Sequence, residues 1–197
     1  GFSLNYHKHI HTGEGGVLVT NSDEIAQKLK MIRNHGENVA SSNNLVNMIG
    51  QNFRLGEIEC TIGIEQLKKL PYLVEKKQNL AKKLNKSLGN LEGLKTPYLK
   101  SDRDHVYYGY GMVLDVNKLK ISRKVICNAL RAEGVMVSEG YVNIHLLPTY
   151  QNKIAYGSKG FPWTSDICKR EVSYQKGICP VAEELHEKTF FSFGLCV

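Results

Sequence analysis

The chain has 197 residues, 42% of them hydrophobic and 23% charged, a globular balance that argues against a disordered or fibrous protein. Its apolar runs are a few residues long, far short of the ~20 that span a bilayer, and no basic-then-apolar leader opens it. Lys and Arg number 26 against 19 Asp and Glu, a net charge of +7 that suits a polyanion, an anionic surface or a phosphorylated small molecule.

In chain order, Gly16 to Thr20 reads as a short buried strand. Asn21-Ser22-Asp23-Glu24 then opens a helix, with polar caps ahead of acidic residues that suit the positive helix end. Ile25, Leu29 and Ile32 form its apolar stripe, and Gly36 stops it. Residues 37–48 are rich in Asn and Ser and read as a connector. From Leu55 the helical period returns through Ile58, Ile62, Leu67 and Leu70. Pro71 is expected to break or kink that helix. Leu73, Leu80, Leu84 and Leu88 carry a second stripe to Gly89. Val106 to Leu114 is rich in strand formers, Ser122 to Glu133 is helical and Val135 to Val137 is a strand. From Gly140 onward the chain reads as irregular, punctuated by Pro148, Pro162 and Pro180.

Helices and strands alternating after Gly36 predict an α/β or α+β unit with helices on a small sheet. The first 36 residues read as the tail of a different unit. The chain opens without Met and closes on apolar residues, so both ends are expected to be cuts through a longer protein. The five Cys are odd in number and form no CxxC, which argues against a disulfide framework or a zinc site and for a reducing cytoplasm. Lys residues concentrate between Lys68 and Lys86, and the ordinary meaning of such a run is a solvated helix face. No RNA-binding or zinc-finger pattern accompanies it.

The densest chemical cluster runs from Ser3 to Gly16 and holds His7, Lys8, His9, His11, Thr12 and a Gly-rich turn. On residues alone four readings stay open: a metal site built on the alternating His trio, a phosphate cradle without a Walker or dinucleotide fingerprint, a lysine nucleophile whose amine is made reactive by cationic neighbours, or a hairpin with surface His.

Lys8 followed by Thr12-Gly13-Glu14-Gly15-Gly16, with Ser3 five residues ahead of the lysine, resembles the DegT/DnrJ/EryC1/StrS family of pyridoxal-phosphate sugar aminotransferases. Arg33-Asn34-His35-Gly36, Gly50-Gln51-Asn52-Phe53-Arg54, Gly63-Ile64-Glu65-Gln66-Leu67, and Gly140-Tyr141 through His145 and Tyr150 are similar to further motifs of that family, in the same order. The resemblance implies a fold type I architecture. Residues 1–36 close the large cofactor domain and 37–197 form a small α/β domain truncated at its end.

The resemblance also implies a role for each site residue. Lys8 holds pyridoxal 5'-phosphate as a Schiff base and moves the proton of transamination. Ser3 donates to the cofactor phosphate. Asn52 reaches the phosphate of a neighbouring subunit's cofactor, so a homodimer shares its sites. Tyr141 and His145 line the sugar side. Read without the family, Asn52 is a cap or turn residue and His145 a core or surface His. Members that dehydrate sugars carry His in place of the lysine; the distances to Ser3 and Thr12 put Lys8 there, rather than His7 or His9. His11, and the stretch from Ile178 to Glu183, depart from the commoner family pattern and leave the substrate open. The family's phosphate turn, its ring-stacking residue and the Asp that pairs with the pyridine nitrogen are absent from these residues.

The expected function is transfer of an amino group from glutamate or glutamine to a keto sugar, nucleotide-linked, by a cytoplasmic enzyme with no metal and no nucleic-acid or membrane partner. This chain alone is expected to be inactive. The competing expectation is an inactive fragment or binding module using the basic helix face.

Overall fold

The computed structural model describes residues 1–38 and 48–196; most of the Asn/Ser-rich connector expected over 37–48 lies outside the described residues. Packing divides the chain into Gly1–Lys76 and Lys77–Val197. The boundary expected at residue 36 is one between the domains of the longer family fold, a different kind of division.

In the first unit, β1 (Phe2–Ser3) pairs antiparallel with β2 (Gly16–Val17), Ser3 opposite Gly16. The strand expected over 16–20 is two residues long and exposed rather than buried: in this antiparallel register Val17 faces Phe2, where β1 starts, and residues 18–20 run past that end of it. Ser22 caps α1 (Asp23–Arg33), its hydroxyl accepting the Ile25 N–H at 3.3 Å. Asp23 and Glu24 at the start and Lys30 and Arg33 at the end complement the helix dipole. The helix ends where His35 and Gly36 take positive φ, 57° and 81°.

Helix α2 (Glu57–Leu88) is one 32-residue helix with Pro71 inside it, so of the break or kink expected there the break does not occur. Proline deprives the carbonyl four residues back of its N–H donor. Here that carbonyl belongs to Leu67, a residue that is 59% exposed, so the lost bond falls at the surface of the helix rather than in the core.

The second unit is built on an antiparallel sheet in the order β3-β4-β6-β5: β3 (Leu94–Lys95), β4 (Tyr110–Leu114), β6 (Phe190–Phe193) and β5 (Ser138–Glu139). Tyr110, Met112 and Leu114 alternate inward along β4. Met112 stands opposite Phe191 and Tyr110 opposite Phe193. Ala81 of α2 and Cys127 of α4 (Arg123–Ala132) join this face to make the core, with Leu80, Leu84, Leu88, Ile126 and Leu130 packed around it. Burial pushes the Cys127 thiol above its ordinary pKa, as expected of an inert core cysteine. All five cysteines are free.

The expected strand from Val106 starts only at Tyr110. Tyr107 takes a φ of 49°, and its N–H is held by the His105 ring at 2.7 Å. The strand expected over 135–137 forms instead at Ser138–Glu139, while Arg131 takes the Val137 carbonyl at 3.1 Å. Helix α3 (Val116–Leu119) follows β4. The stretch expected to be irregular contains a 3₁₀ turn (Ile144–Leu146), α5 (Pro148–Gln151), α6 (Pro180–Glu184), a π turn (Leu185–Thr189) and the whole of β6.

Candidate active site

The segment from Ser3 to Gly16 is a closed hairpin. The Leu4 N–H meets the Gly15 carbonyl at 2.9 Å, the Thr12 N–H meets the Leu4 carbonyl at 3.0 Å, and the Lys8 N–H meets the Asn5 carbonyl at 3.0 Å. The Asn5 amide holds both Glu14 oxygens at 2.7 and 2.8 Å. Thr12 is buried, and its hydroxyl donates to the Glu14 carbonyl at 2.8 Å. A Cβ at Gly15 would come within 2.8 Å of that hydroxyl, so the Thr-Gly-Glu-Gly-Gly run serves to close the loop.

Ser3 and Lys8 belong to this same hairpin. Ser3 is exposed at the end of β1, and its oxygen accepts the Asn5 N–H at 3.3 Å, leaving its own proton to donate. Lys8 is half-buried on the turn. A hydroxyl donor for a phosphate and a primary amine for an aldehyde, fixed in one loop, are a donor set that fits pyridoxal phosphate. Among the described residues no group of three or more His, Cys, Asp or Glu is arranged to hold a metal ion.

The Arg33-Asn34-His35-Gly36 and Gly50-Gln51-Asn52-Phe53-Arg54 motifs form one structure. The His35 N–H bonds the Gln51 carbonyl at 3.0 Å, the Gln51 N–H the Ile32 carbonyl at 2.8 Å, and the Phe53 N–H the Arg33 carbonyl at 2.9 Å. Gly36 and Gly50 meet so closely that a Cβ on either would strike backbone. Arg54 is held by the Asn34 side-chain oxygen, and the Asn34 amide donates to Glu37 at 3.0 Å. Asn52 bridges Asn34 through the backbone and is exposed. Its side chain has no partner among the described residues.

In the second unit, Tyr141 and His145 lie on the segment after β5. The Gly140 N–H bonds the Phe190 carbonyl at 2.9 Å, and the Tyr141 N–H bonds the His186 Nδ1 at 3.0 Å. The Tyr141 side chain is 76% exposed. The His145 side chain is 11% exposed, and its Nε2–H donates to Glu183 at 2.9 Å. Glu183 is buried and also accepts the Gly177 N–H at 2.8 and 2.9 Å and the Cys179 N–H at 3.4 Å. Desolvation pushes the Glu183 carboxyl up, but the Gly177 N–H, the His145 ring and the Cys179 N–H outweigh it and hold it below its ordinary range.

Gln151 ties this segment to the chain around Tyr174, donating to the His145 carbonyl at 2.7 Å and the Tyr174 carbonyl at 2.6 Å. Glu183, His186 and Gln151 escape sequence reasoning. Each acts on a backbone or ring partner remote in the chain, and no spacing marks them.

The chain's likeness to solved structures is that of the type I fold of pyridoxal-phosphate-dependent sugar aminotransferases. Residues 1–187 match the DegT/DnrJ/EryC1/StrS aminotransferase family, and the chain belongs to it. It is 32% identical over 181 residues to the uncharacterized protein MJ1066 of Methanocaldococcus jannaschii, covering 87% of this chain and 47% of that protein. It is 32% identical over 154 residues to the UDP-4-amino-4,6-dideoxy-N-acetyl-beta-L-altrosamine transaminase of Helicobacter pylori, covering 76% of this chain and 40% of that one.

Helicobacter pylori PseC, an aminotransferase of pseudoaminic acid biosynthesis, superposes with a TM-score of 0.69 at 25% identity, over 93% of this chain and 44% of its own. A DegT DnrJ EryC1 StrS aminotransferase from Brucella abortus gives 0.74 at 24% identity, over 98% and 44%. The chain therefore spans less than half the length of these relatives. No helix among the described residues is long and apolar enough to cross a membrane.

Proposed function

We propose that this chain supplies the later part of the catalytic machinery of a cytoplasmic, homodimeric aminotransferase. Residues 1–36 belong to its cofactor domain and 37–197 to its small domain. The reaction moves an amino group from glutamate or glutamine to a keto sugar carried on a nucleotide. The observation that carries this reading is the closed hairpin that holds Ser3 and Lys8 together.

Pyridoxal phosphate bound there supplies the electron sink for the transferred amino group. Lys8 anchors the cofactor aldehyde through its amine and then moves the proton at Nζ. Ser3 donates its hydroxyl proton to the phosphate. Asn52 donates its amide to the phosphate in a second subunit. Tyr141, on its exposed segment, meets the sugar. His145, held by Glu183, lines the sugar side with Tyr141. Because the chain is less than half the length of its relatives, the activity is proposed for the whole protein.

Borohydride reduction of the whole protein with bound cofactor, followed by peptide mapping, is expected to leave a pyridoxyl group on Lys8. A label on another lysine, or none with cofactor saturating, sinks the reading.

A further inference from the structure

We propose that His186 is a positioning residue that sets the Gly140–His145 segment, and through it Tyr141, for sugar recognition. The proposal rests on the reading of Tyr141 as sugar-facing.

Tyr141 is 76% exposed in this chain, so among the described residues its backbone is what sets its direction. That backbone is fixed by two bonds, Gly140 N–H to the Phe190 carbonyl at 2.9 Å and Tyr141 N–H to His186 Nδ1 at 3.0 Å. Accepting at Nδ1 requires that nitrogen to be unprotonated, so the neutral ring carries its proton on Nε2. Gly140 takes a φ of 65°, and a Cβ there would meet the His186 carbonyl oxygen and, at 2.8 Å, Nδ1 itself. The close approach of segment and ring therefore depends on glycine.

The ring is itself held. His186 sits in the π turn, a rare conformation that recurs at functional sites. Arg123 binds that turn by donating to the carbonyls of Leu185 at 3.2 Å, His186 at 2.7 Å and Glu187 at 3.2 Å, and ties it to the start of β6 through the Phe190 carbonyl at 3.0 Å. Its Nε also lies 3.6 Å from Glu139, the residue before Gly140.

Three residues before His186, Glu183 holds His145 by its ring. Positions 183 and 186 thus grip positions 145 and 141, a two-point clamp on the stretch that carries both sugar-side residues. His186 controls the Tyr141 end. A ring placed for packing alone has no need to turn Nδ1 to a backbone N–H.

The test compares His186→Ala, His186→Asn and His186→Gln in the whole cofactor-loaded enzyme. Asn places its side-chain oxygen where Nδ1 stood, whereas Gln reaches the Nε2 position. Loss of one hydrogen bond is expected to raise the sugar KM about tenfold in the Ala and Gln variants. Asn should restore it, with kcat, the amino-donor KM and cofactor affinity unchanged throughout. Hydrogen exchange at the Tyr141 amide should accelerate in Ala and Gln and stay protected in Asn.

Wild-type sugar KM and Tyr141 protection in the Ala variant overturn the proposal, as does an Asn variant no better than Gln. Should Ala fail to fold, the Asn–Gln difference decides. Tyr141→Ala run alongside separates the two levels. If it leaves the sugar KM unchanged, the sugar-facing reading falls, while Tyr141 exchange in the His186 series still shows whether His186 sets the segment.

Discussion

A buried carboxylate is stable only where enough donors replace its water, and Glu183 shows how few suffice. Two backbone N–H groups and one imidazole converge on it. Its native carboxyl titrates below the ordinary value of 4.5. The stability it contributes is therefore present in full above that range and lost as pH falls through the native value. Glu183→Gln should lower stability at neutral pH and flatten the acid limb, read as urea midpoints taken from neutrality down through the carboxylate range. A variant with the wild-type acid dependence would show that Glu183 does not set it. The hairpin that holds Lys8 and Ser3 was legible in the sequence as one contiguous motif with loop-closing glycines, and their proposed roles rest on the resemblance that motif carries. Glu183, His186 and Arg123 were not, because each is recognised by the partner it meets, and the partner is set by topology.

At the scale of elements, period and capping carried most of what could be read. The apolar stripe and Ser22 marked α1, and Ser122 with Gly134 bounded α4. Strand edges were read poorly, since a strand extends only as far as its neighbour does, and β1, β5 and β6 carry weak patterns of their own. Pro71 was read as a break or kink because the missing N–H and the ring clash disfavour a helix interior. In α2 the loss falls at exposed positions and the helix continues on both sides. Pro71→Ala restores the missing donor to the Leu67 carbonyl. It should stabilise the chain by about 1–3 kcal/mol, seen as a higher thermal midpoint. A lower midpoint would mean that a bend at Pro71 is itself used.

At the scale of the whole molecule the two units differ in kind. Every buried hydrophobic residue among those described lies in the second unit, whereas the first exposes Phe2, Leu18, Val19 and others. Around Asn52 the pattern sharpens, with Ile49 90% exposed, Phe53 65% and Ile58 75%. Near it in the chain, the exposed apolar residues and the Asn52 side chain, without a partner among the described residues, make a surface that a second subunit or the rest of the longer protein can cover. One hydrogen bond to a charged phosphate contributes roughly 1.5–3 kcal/mol, so Asn52→Ala should weaken cofactor binding about ten- to a hundredfold. The decisive measurement mixes two impaired versions of the whole protein, Lys8→Ala and a severe Asn52 variant. If Asn52 acts on the neighbouring subunit's cofactor as proposed, each site of a two-fold dimer takes Lys8 from one subunit and Asn52 from the other. A mixed dimer therefore collects both defects in one site and neither in its twin. With random exchange about half the dimers are mixed, and activity should recover toward about a quarter of wild type. If exchange is confirmed and activity stays flat, Asn52 serves its own subunit, and the exposed apolar residues near it are covered by the rest of the same protein.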